Sequence, residues 1–592
     1  MLASAASDLR QAEKRLERAA EAMADGELAV AAQELRAAER ELLDANEALR
    51  GSLALDFAGR FPIAGQNLEA IDRSVEMATT VVHSGLRILA VSDDLQGEDG
   101  RLEVSLRNGT LSLAALDAAR TEAESLARQV DPLLRQGEPS YLLGPVRTLF
   151  DTVSEEAATR ADQARVLARG LALLHELSGG NGPRRYLIAV ANTAEMRGSG
   201  GMILNYGTLE GRDGTIELPE FGRIDELPLT VPVSESIVPA DYLARWAGFE
   251  PLLRFRQANL AADFTIVAPV LEEMYEQASG REVQGVIQID PDGLAAVLAG
   301  VGPVEVPEIG VVTAEDVVAL TLHEAYIRFP DVEQRSDVLG DVAEAAFTKL
   351  VDGDHPSLRT LGEALATAVD EGHVRVHSTD ATVQRHLSSF GADGALPDPE
   401  GPDAFTLTAQ NLSGNKLDWF LDTSLTLRGT RPADDIGELE ATVQLTNTAP
   451  PGVTEPQYIY GPGPGPVVQP AGTLRSLVTL YVPFGTTLEA TGGDALVEPA
   501  GSGTEGGRPF VTFTVDVPAG EARTVVLTLR LPPQGDDPYE VLVTPVPRVR
   551  PTTVDIDIEA DDGTVSGTVS LDRRWRLRPG REPQIEMAPI YR

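Results

Sequence analysis

Apolar residues recur with helical spacing over roughly the first 180 positions and with strand spacing after about 400. Leu9 and Leu16 lie one heptad apart, and Leu28, Leu35, Leu42 and Leu49 continue at strict seven-residue intervals. Such a repeat lets one helix face bury against another. Asp25-Gly26 between the two sets supplies a turn and a helix stop. The pattern predicts an antiparallel helical hairpin over about 4–24 and 27–50, with its charged positions on solvated faces. Further helices are expected at about 66–91, 111–135 and 143–178, and the run Gly179-Gly180-Asn181-Gly182-Pro183 closes an all-helical region spanning 1–180.

From Arg184 the texture changes. Tyr186–Ala191 is a short buried strand, Met202–Leu209 a second, and Gly211–Gly214 turns into a third at Thr215–Leu218. Helical stretches at about 240–257, 262–279, 291–300, 313–327, 335–352 and 381–390 alternate with strands at 286–289, 304–306 and 373–377. This alternation predicts a layered α/β (α+β) domain over 184–400. Beyond 405 the helices stop. Strand-like runs at 405–410, 418–427, 437–446, 474–482, 510–516 and 523–531, with two more in the tail 552–577, predict an antiparallel β-sandwich over 405–592. The repeated Gly-Pro dipeptide from Gly461 to Pro466 reads as a stiff surface loop.

Composition narrows the function classes. The 592 residues carry 49 Lys and Arg against 91 Asp and Glu, a net charge of −42. So acidic a surface repels nucleic acid, which excludes DNA binding. The 42% hydrophobic content is that of a folded chain, spread over several domains. The longest apolar runs, such as Gly293–Val301, fall far short of the roughly 18–20 residues that span a bilayer. Cysteine is absent, which removes disulfide and thiolate chemistry and suits a protein outside the cytoplasm. Lysine occurs only at Lys14, Lys349 and Lys416, so arginine supplies almost all positive charge, a composition typical of GC-rich actinobacteria.

Candidate chemistry is sparse. The seven histidines are scattered; His373 and His377 stand ~13 Å apart along a strand, too far for one metal. G-x-S-x-G elbows and phosphate loops ending in Gly-Lys-Ser/Thr are missing. The most specific segment is Asn192 to Gly201, which places an amide, Glu195, Arg197 and a mobile glycine turn directly after a hydrophobic strand. Loops at the carboxyl ends of strands are where α/β folds build sites. The same residues also fit a structural Glu195–Arg197 pair beside a tight turn.

These residues carry a resemblance. The pattern Asn-x-x-Glu-x-Arg-x-x-Gly-Gly between two strands resembles the hallmark of the bacterial domain of unknown function 4012 family. Val283–Pro307, Asn411–Asp418, Asn447–Pro450 and Tyr481–Pro483 fit it as well, so the resemblance covers roughly 184–545. Such proteins carry a membrane-spanning helix ahead of the helical region. The resemblance therefore implies a membrane-anchored ectodomain on the extracytoplasmic face of the cell envelope.

A second resemblance concerns mechanism. Gly285 to Val306, followed by Tyr326-Ile327-Arg328 and Arg335-Ser336-Asp337, is similar to the core of the LytR-CpsA-Psr ligases. Those enzymes move polyprenyl-linked glycopolymers onto the cell wall, holding the pyrophosphate with arginines and an aspartate-bound magnesium. The resemblance implies that Arg197, Arg223, Arg328 and Arg335 bind a phosphate-bearing lipid glycan. Arg197, Arg223 and Asp225 stand in the catalytic positions; Glu195 orients the arginines or holds a cation. Physically, converging guanidiniums would form a local anion site in an acidic protein. One departure bears on catalysis: Gly200-Gly201 replace the ligases' Arg-x-Asp, so no metal ligand is assigned, and magnesium remains only an implied cofactor. The expected function is a cell-wall biogenesis protein that binds or transfers a polyprenyl-phosphate glycan. The alternatives are a non-catalytic extracytoplasmic scaffold, with a protein partner on the N-terminal helices, and an adhesin-like surface protein.

Overall fold

The computed structural model of the chain describes every residue except 1, 25–26, 51–59, 93–109, 138, 330–337, 353–357, 462–468, 495–497, 536 and 586–592. The expected Asp25-Gly26 turn, most of the Gly-Pro repeat and the expected site residue Arg335 lie outside the described residues. The chain forms two compact units. One comprises Met1–Pro183 with the hairpin tip Gly211–Ile216; the other comprises Arg184–Glu210 and Glu217–Ala588.

The first unit is helical: α1 (Leu2–Ala24), α2 (Leu28–Arg50), α3 (Pro62–Ser92), α4 (Leu113–Arg135) and α5 (Gly144–Leu177). The heptad leucines turn inward. Leu9, Leu16, Leu28, Leu35 and Leu42 are buried in one core with Met77 and Val82 of α3, Val130 of α4 and Phe150 of α5. The orphan backbone groups at both ends of α4 are satisfied by side chains. Ser112 accepts from Ala115 N at the start of α4. At its end Arg73 donates to the carbonyls of Leu133 and Gly137 while lying over the Phe150 ring. Among the described residues no helix is long and apolar enough to cross a membrane.

The second unit begins with a five-stranded sheet in the order β3-β2-β1-β4-β7. Its strands are β1 (Arg184–Arg197), β2 (Gly200–Arg212), β3 (Thr215–Arg223), β4 (Gly285–Ile289) and β7 (Val374–Ser378), with β5 (Val304–Val306) and β6 (Gly310–Val312) as a separate hairpin. β4 runs parallel to β1, Leu187 opposite Val286, and antiparallel to β7, Gln288 opposite Arg375. Helices α6 (Ala240–Trp246), α7 (Phe264–Ser279), α8 (Pro291–Val301), α9 (Val338–Asp352), α10 (Leu358–Asp370) and α11 (Ala381–Ser389) are interspersed, with an irregular helical stretch over 317–328. The helix expected to run to 257 stops at Trp246: Gly248 follows, Glu250 takes φ +56°, and Pro251 cannot continue a helix.

Residues 403–585 are strand-rich. One sheet has the order β12-β15-β10-β9-β17-β18 and the other β13-β14-β11-β8-β16-β19-β20. The strands of the first are β9 (Leu421–Arg431), β10 (Gly437–Asn447), β12 (Thr487–Gly493), β15 (Ala522–Leu531), β17 (Thr553–Ala560) and β18 (Gly563–Ser570). The second contains β8 (Asp403–Asn411), β11 (Leu474–Tyr481), β13 (Glu498–Glu505), β14 (Arg508–Val517), β16 (Val541–Thr544), β19 (Trp575–Leu577) and β20 (Gln584–Ile585). Alternate residues of both sheets, such as Leu425, Val443 and Leu527 from one and Leu407, Val478 and Phe513 from the other, share one core. The first third of the expected strand 418–427 is a 3₁₀ turn, Leu417–Phe420, in which Asp418 is buried and accepts from Met196 N and Asn411 Nδ2.

Candidate functional site

The Asn192–Gly201 segment is not a mobile surface loop. Every residue of it is buried, and the last three residues of β1, Glu195 to Arg197, bond to the turn Asn411–Asp418 that ends β8. The glycines are explained by close approach: a Cβ on Gly198 would lie 1.9 Å from the Leu260 carbonyl oxygen, and one on Gly201 2.1 Å from the Asn192 carbonyl carbon. The Ser199 carbonyl between them accepts from Gln288 and from Arg375, each at 2.7 Å.

Glu195 and Lys416 form the centre of the cluster. Nζ donates to Glu195 Oε1 at 2.5 Å, with the side chains 8% and 1% exposed. The ammonium also lies 4.4 Å from the centroid of the Tyr326 ring and 5.4 Å from that of Tyr458, and the two rings stack with 10° between their planes. Asn192 Nδ2 donates to the Tyr326 hydroxyl. Burial, the largest single influence, would raise the Glu195 pKa, but the Lys416 charge and hydrogen bond together with the Arg197 and Arg256 charges outweigh it and hold the carboxyl below its usual value. Lys416 mirrors this: burial would lower it, and Glu195 keeps it raised. Both groups therefore stay ionised at neutral pH, which suits a permanent ion pair and not proton transfer.

Arg197 is equally committed. Its Nε donates to Gln257 Oε1 at 3.1 Å, and one terminal nitrogen donates to the carbonyls of Met196 and Asn411. Asp418 Oδ2 accepts from Met196 N and from Asn411 Nδ2. Burial pushes Asp418 up to about 6 against these bonds and the nearby Arg548 and Arg197 charges. Asn411 Oδ1 in turn accepts from Ser413 N and Gly414 N, which shapes the turn that delivers Lys416.

The other expected site residues are distributed differently. Asp225 lies at the surface, gripped by both Nε and a terminal nitrogen of Arg256, with Arg223 3.8 Å away. The Arg256 charge is also felt at Glu195, whose pKa it lowers, and at Arg197, whose pKa it lowers as well. Arg328 is exposed, its guanidinium beside its own neighbour Phe329, and no described contact joins it to the others. Sequence reasoning missed Lys416, Tyr458 and Asp418. A signal for Lys416 was available: it is one of only three lysines in a chain that otherwise uses arginine.

Among the described residues one group has the donor set and spacing of a cation site: Asp290, Asp292 and His373. Asp290 Oδ1 caps α8, and Oδ2 pairs with His373 Nδ1 at 2.7 Å. Burial would lower the His373 pKa, but Asp290 and Asp292 raise it to about 9. With no other cation between them, the ring is protonated at neutral pH and acts as the counter-charge of the two carboxylates.

Residues 181–326 match the model of a protein family described as "Protein of unknown function (DUF4012)". Comparison with curated proteins and with solved structures returns no match.

Proposed function

We propose, from the premise that this chain belongs to the DUF4012 family through residues 181–326, that it acts in the bacterial cell envelope as a non-catalytic scaffold. The observation that carries this reading is the internal use of the family motif. Glu195 and Arg197 direct their charges to Lys416, Gln257 and the Met196 and Asn411 carbonyls, leaving no reacting group exposed at the motif. In this reading the α/β region is a LytR-CpsA-Psr-like core without its chemistry, and the two C-terminal sheets are a β-sandwich joined to it by the buried cluster. The absence of cysteine and the charge of −42 support a place outside the cytoplasmic membrane; resistance of the protein to external protease in intact spheroplasts would contradict that location.

A second reading, binding or transfer of a polyprenyl-phosphate-linked glycopolymer, is favoured by one observation: Arg223 and Arg256 are half-exposed around Asp225. Asp225 is already a two-pronged acceptor for Arg256, which suits a guanidinium partner and not magnesium. The deciding experiment is polyprenyl-pyrophosphate binding and glycan transfer by the purified protein, with and without magnesium, for wild type, Arg197→Ala and Arg223→Ala. The scaffold reading expects no transfer, and a lower melting temperature for Arg197→Ala alone. Transfer by wild type, or binding lost in a well-folded Arg223→Ala, would establish the second reading instead.

A further inference from the structure

A different arginine has the properties of a ligand group. Arg375 on β7 is 4% exposed; among the described residues its one hydrogen bond is from Nη1 to the Ser199 carbonyl, and its Nε has no partner. The carboxylates that influence it are already engaged: Asp290 with His373 and the α8 cap, Asp263 with Arg508 and Thr265. A buried guanidinium left without an anion bonded to it is costly unless a counter-charge arrives.

Arg375 lines an open cleft of about 540 Å³ counting its mouth, together with Asp370, Gly394, Thr544 and Arg574. Thr544 Oγ1 is a second buried polar atom without a partner on this wall. Arg574 reaches the same cleft from the segment after β18, donating to the Ala395 carbonyl. Two glycines with positive φ leave the guanidinium room. A Cβ on Gly394 (φ +60°) would lie 3.1 Å from Arg375 Nε, and one on Gly372 (φ +82°) 3.5 Å from Nη2.

We infer that this cleft is a phosphate-binding site, in which Arg375, Arg574 and the Thr544 hydroxyl hold a phosphate group, free or carried on a small sugar. The two guanidiniums outweigh the single carboxylate of Asp370, so the lining carries net positive charge in a protein of net charge −42. Arginine supplies paired donors for phosphate oxygens, and a hydroxyl can donate one more. The site uses none of the arginines expected from the sequence and does not depend on the scaffold reading.

The test is calorimetric titration of the full chain with inorganic phosphate and with glucose 1-phosphate, glucose and chloride serving as controls. Saturable binding of a phosphate probe is expected, lost by about 10- to 150-fold when one charged contact is removed. Arg574→Ala, at a half-buried position, tests this without opening the core; Arg375→Gln removes the buried charge, and Thr544→Val removes the hydroxyl at constant shape. Tighter binding of glucose 1-phosphate than of phosphate assigns a sugar ester as the ligand class, and equal binding assigns free phosphate. The inference is overturned if wild type binds neither probe, or if folded Arg574→Ala and Thr544→Val bind as wild type does, whether or not Arg375→Gln folds.

Discussion

Replacing Lys416 by Met tests the central pair most directly. Methionine keeps the length and apolar stem of the side chain and removes the ammonium. Glu195 then loses the hydrogen bond at 2.5 Å while remaining 6% exposed, and no other described side chain donates to it. An uncompensated buried carboxylate of this kind costs ~3–5 kcal/mol. The reverse change, Glu195→Gln, should cost less, because the ammonium keeps the faces of Tyr326 and Tyr458, a desolvated cation–π arrangement contributing ~2 kcal/mol. The double variant removes both charges and should recover ~2 kcal/mol or more of the summed single costs. The three tryptophans, Trp246, Trp419 and Trp575, all lie within the second unit, so their fluorescence follows its unfolding in urea. With a slope near 3 kcal/mol per molar, Lys416→Met should move the midpoint down by about 1 M or slightly more. A shift below about 0.3 M, or single effects that simply add in the double variant, would refute the account of this cluster.

Two further outcomes follow from the geometry. The folded state raises His373 from 6.5 to about 9, so its contribution is complete below pH 6.5 and is lost as pH rises through about 9. Wild type should therefore lose up to ~3 kcal/mol between pH 6.5 and 9; urea midpoints across that range should show a decline that His373→Gln lacks, and equal slopes would refute the pairing. Gly201→Ala should destabilise by ~1–3 kcal/mol or more, because its Cβ meets backbone at 2.1 Å. Gly501→Ala, with open space around it, should stay within ~0.5 kcal/mol by the same urea assay.

Elements set by local periodicity were legible in the sequence. The heptad leucines from Leu9 to Leu42 mark two helices and their buried face, and Tyr186–Ala191 marks the centre of β1. The resemblance to the family whose model matches residues 181–326 was legible too, because Asn192, Glu195, Arg197, Gly200 and Gly201 fall at fixed spacing. What the motif residues touch was not. Glu195 meets Lys416 across 221 positions of sequence, and no periodicity records a pairing of that range. Buried charges also invert the usual expectation: Arg197 reads as a ligand-binding group in sequence, yet its guanidinium is buried and donates to a glutamine and two carbonyls. Helix α10 escaped notice, and so did β12 and β13, whose Gly- and Ala-containing sequences lack the β-branched alternation that announces a strand.

The parallel pairings in the strand-rich region have a consequence for synthesis on the ribosome. β8 pairs with β16, Asp403 opposite Val541, and β9 pairs with β17, Ser424 opposite Thr553. In both sheets an early strand thus receives one neighbour only from a stretch made well over a hundred residues later, at a separation of 138 positions in one and 129 in the other. Until residues 541–560 emerge, β8 and β9 each present an open backbone edge to whatever else is nearby. The order of translation therefore makes sheet closure the late event, and a ribosome stalled before residue 541 would leave a nascent chain with two adhesive edges. The nascent chain's need for a chaperone should accordingly be greatest while this stretch is being translated, and a premature stop shortly before Val541 should yield aggregate and not a smaller soluble protein.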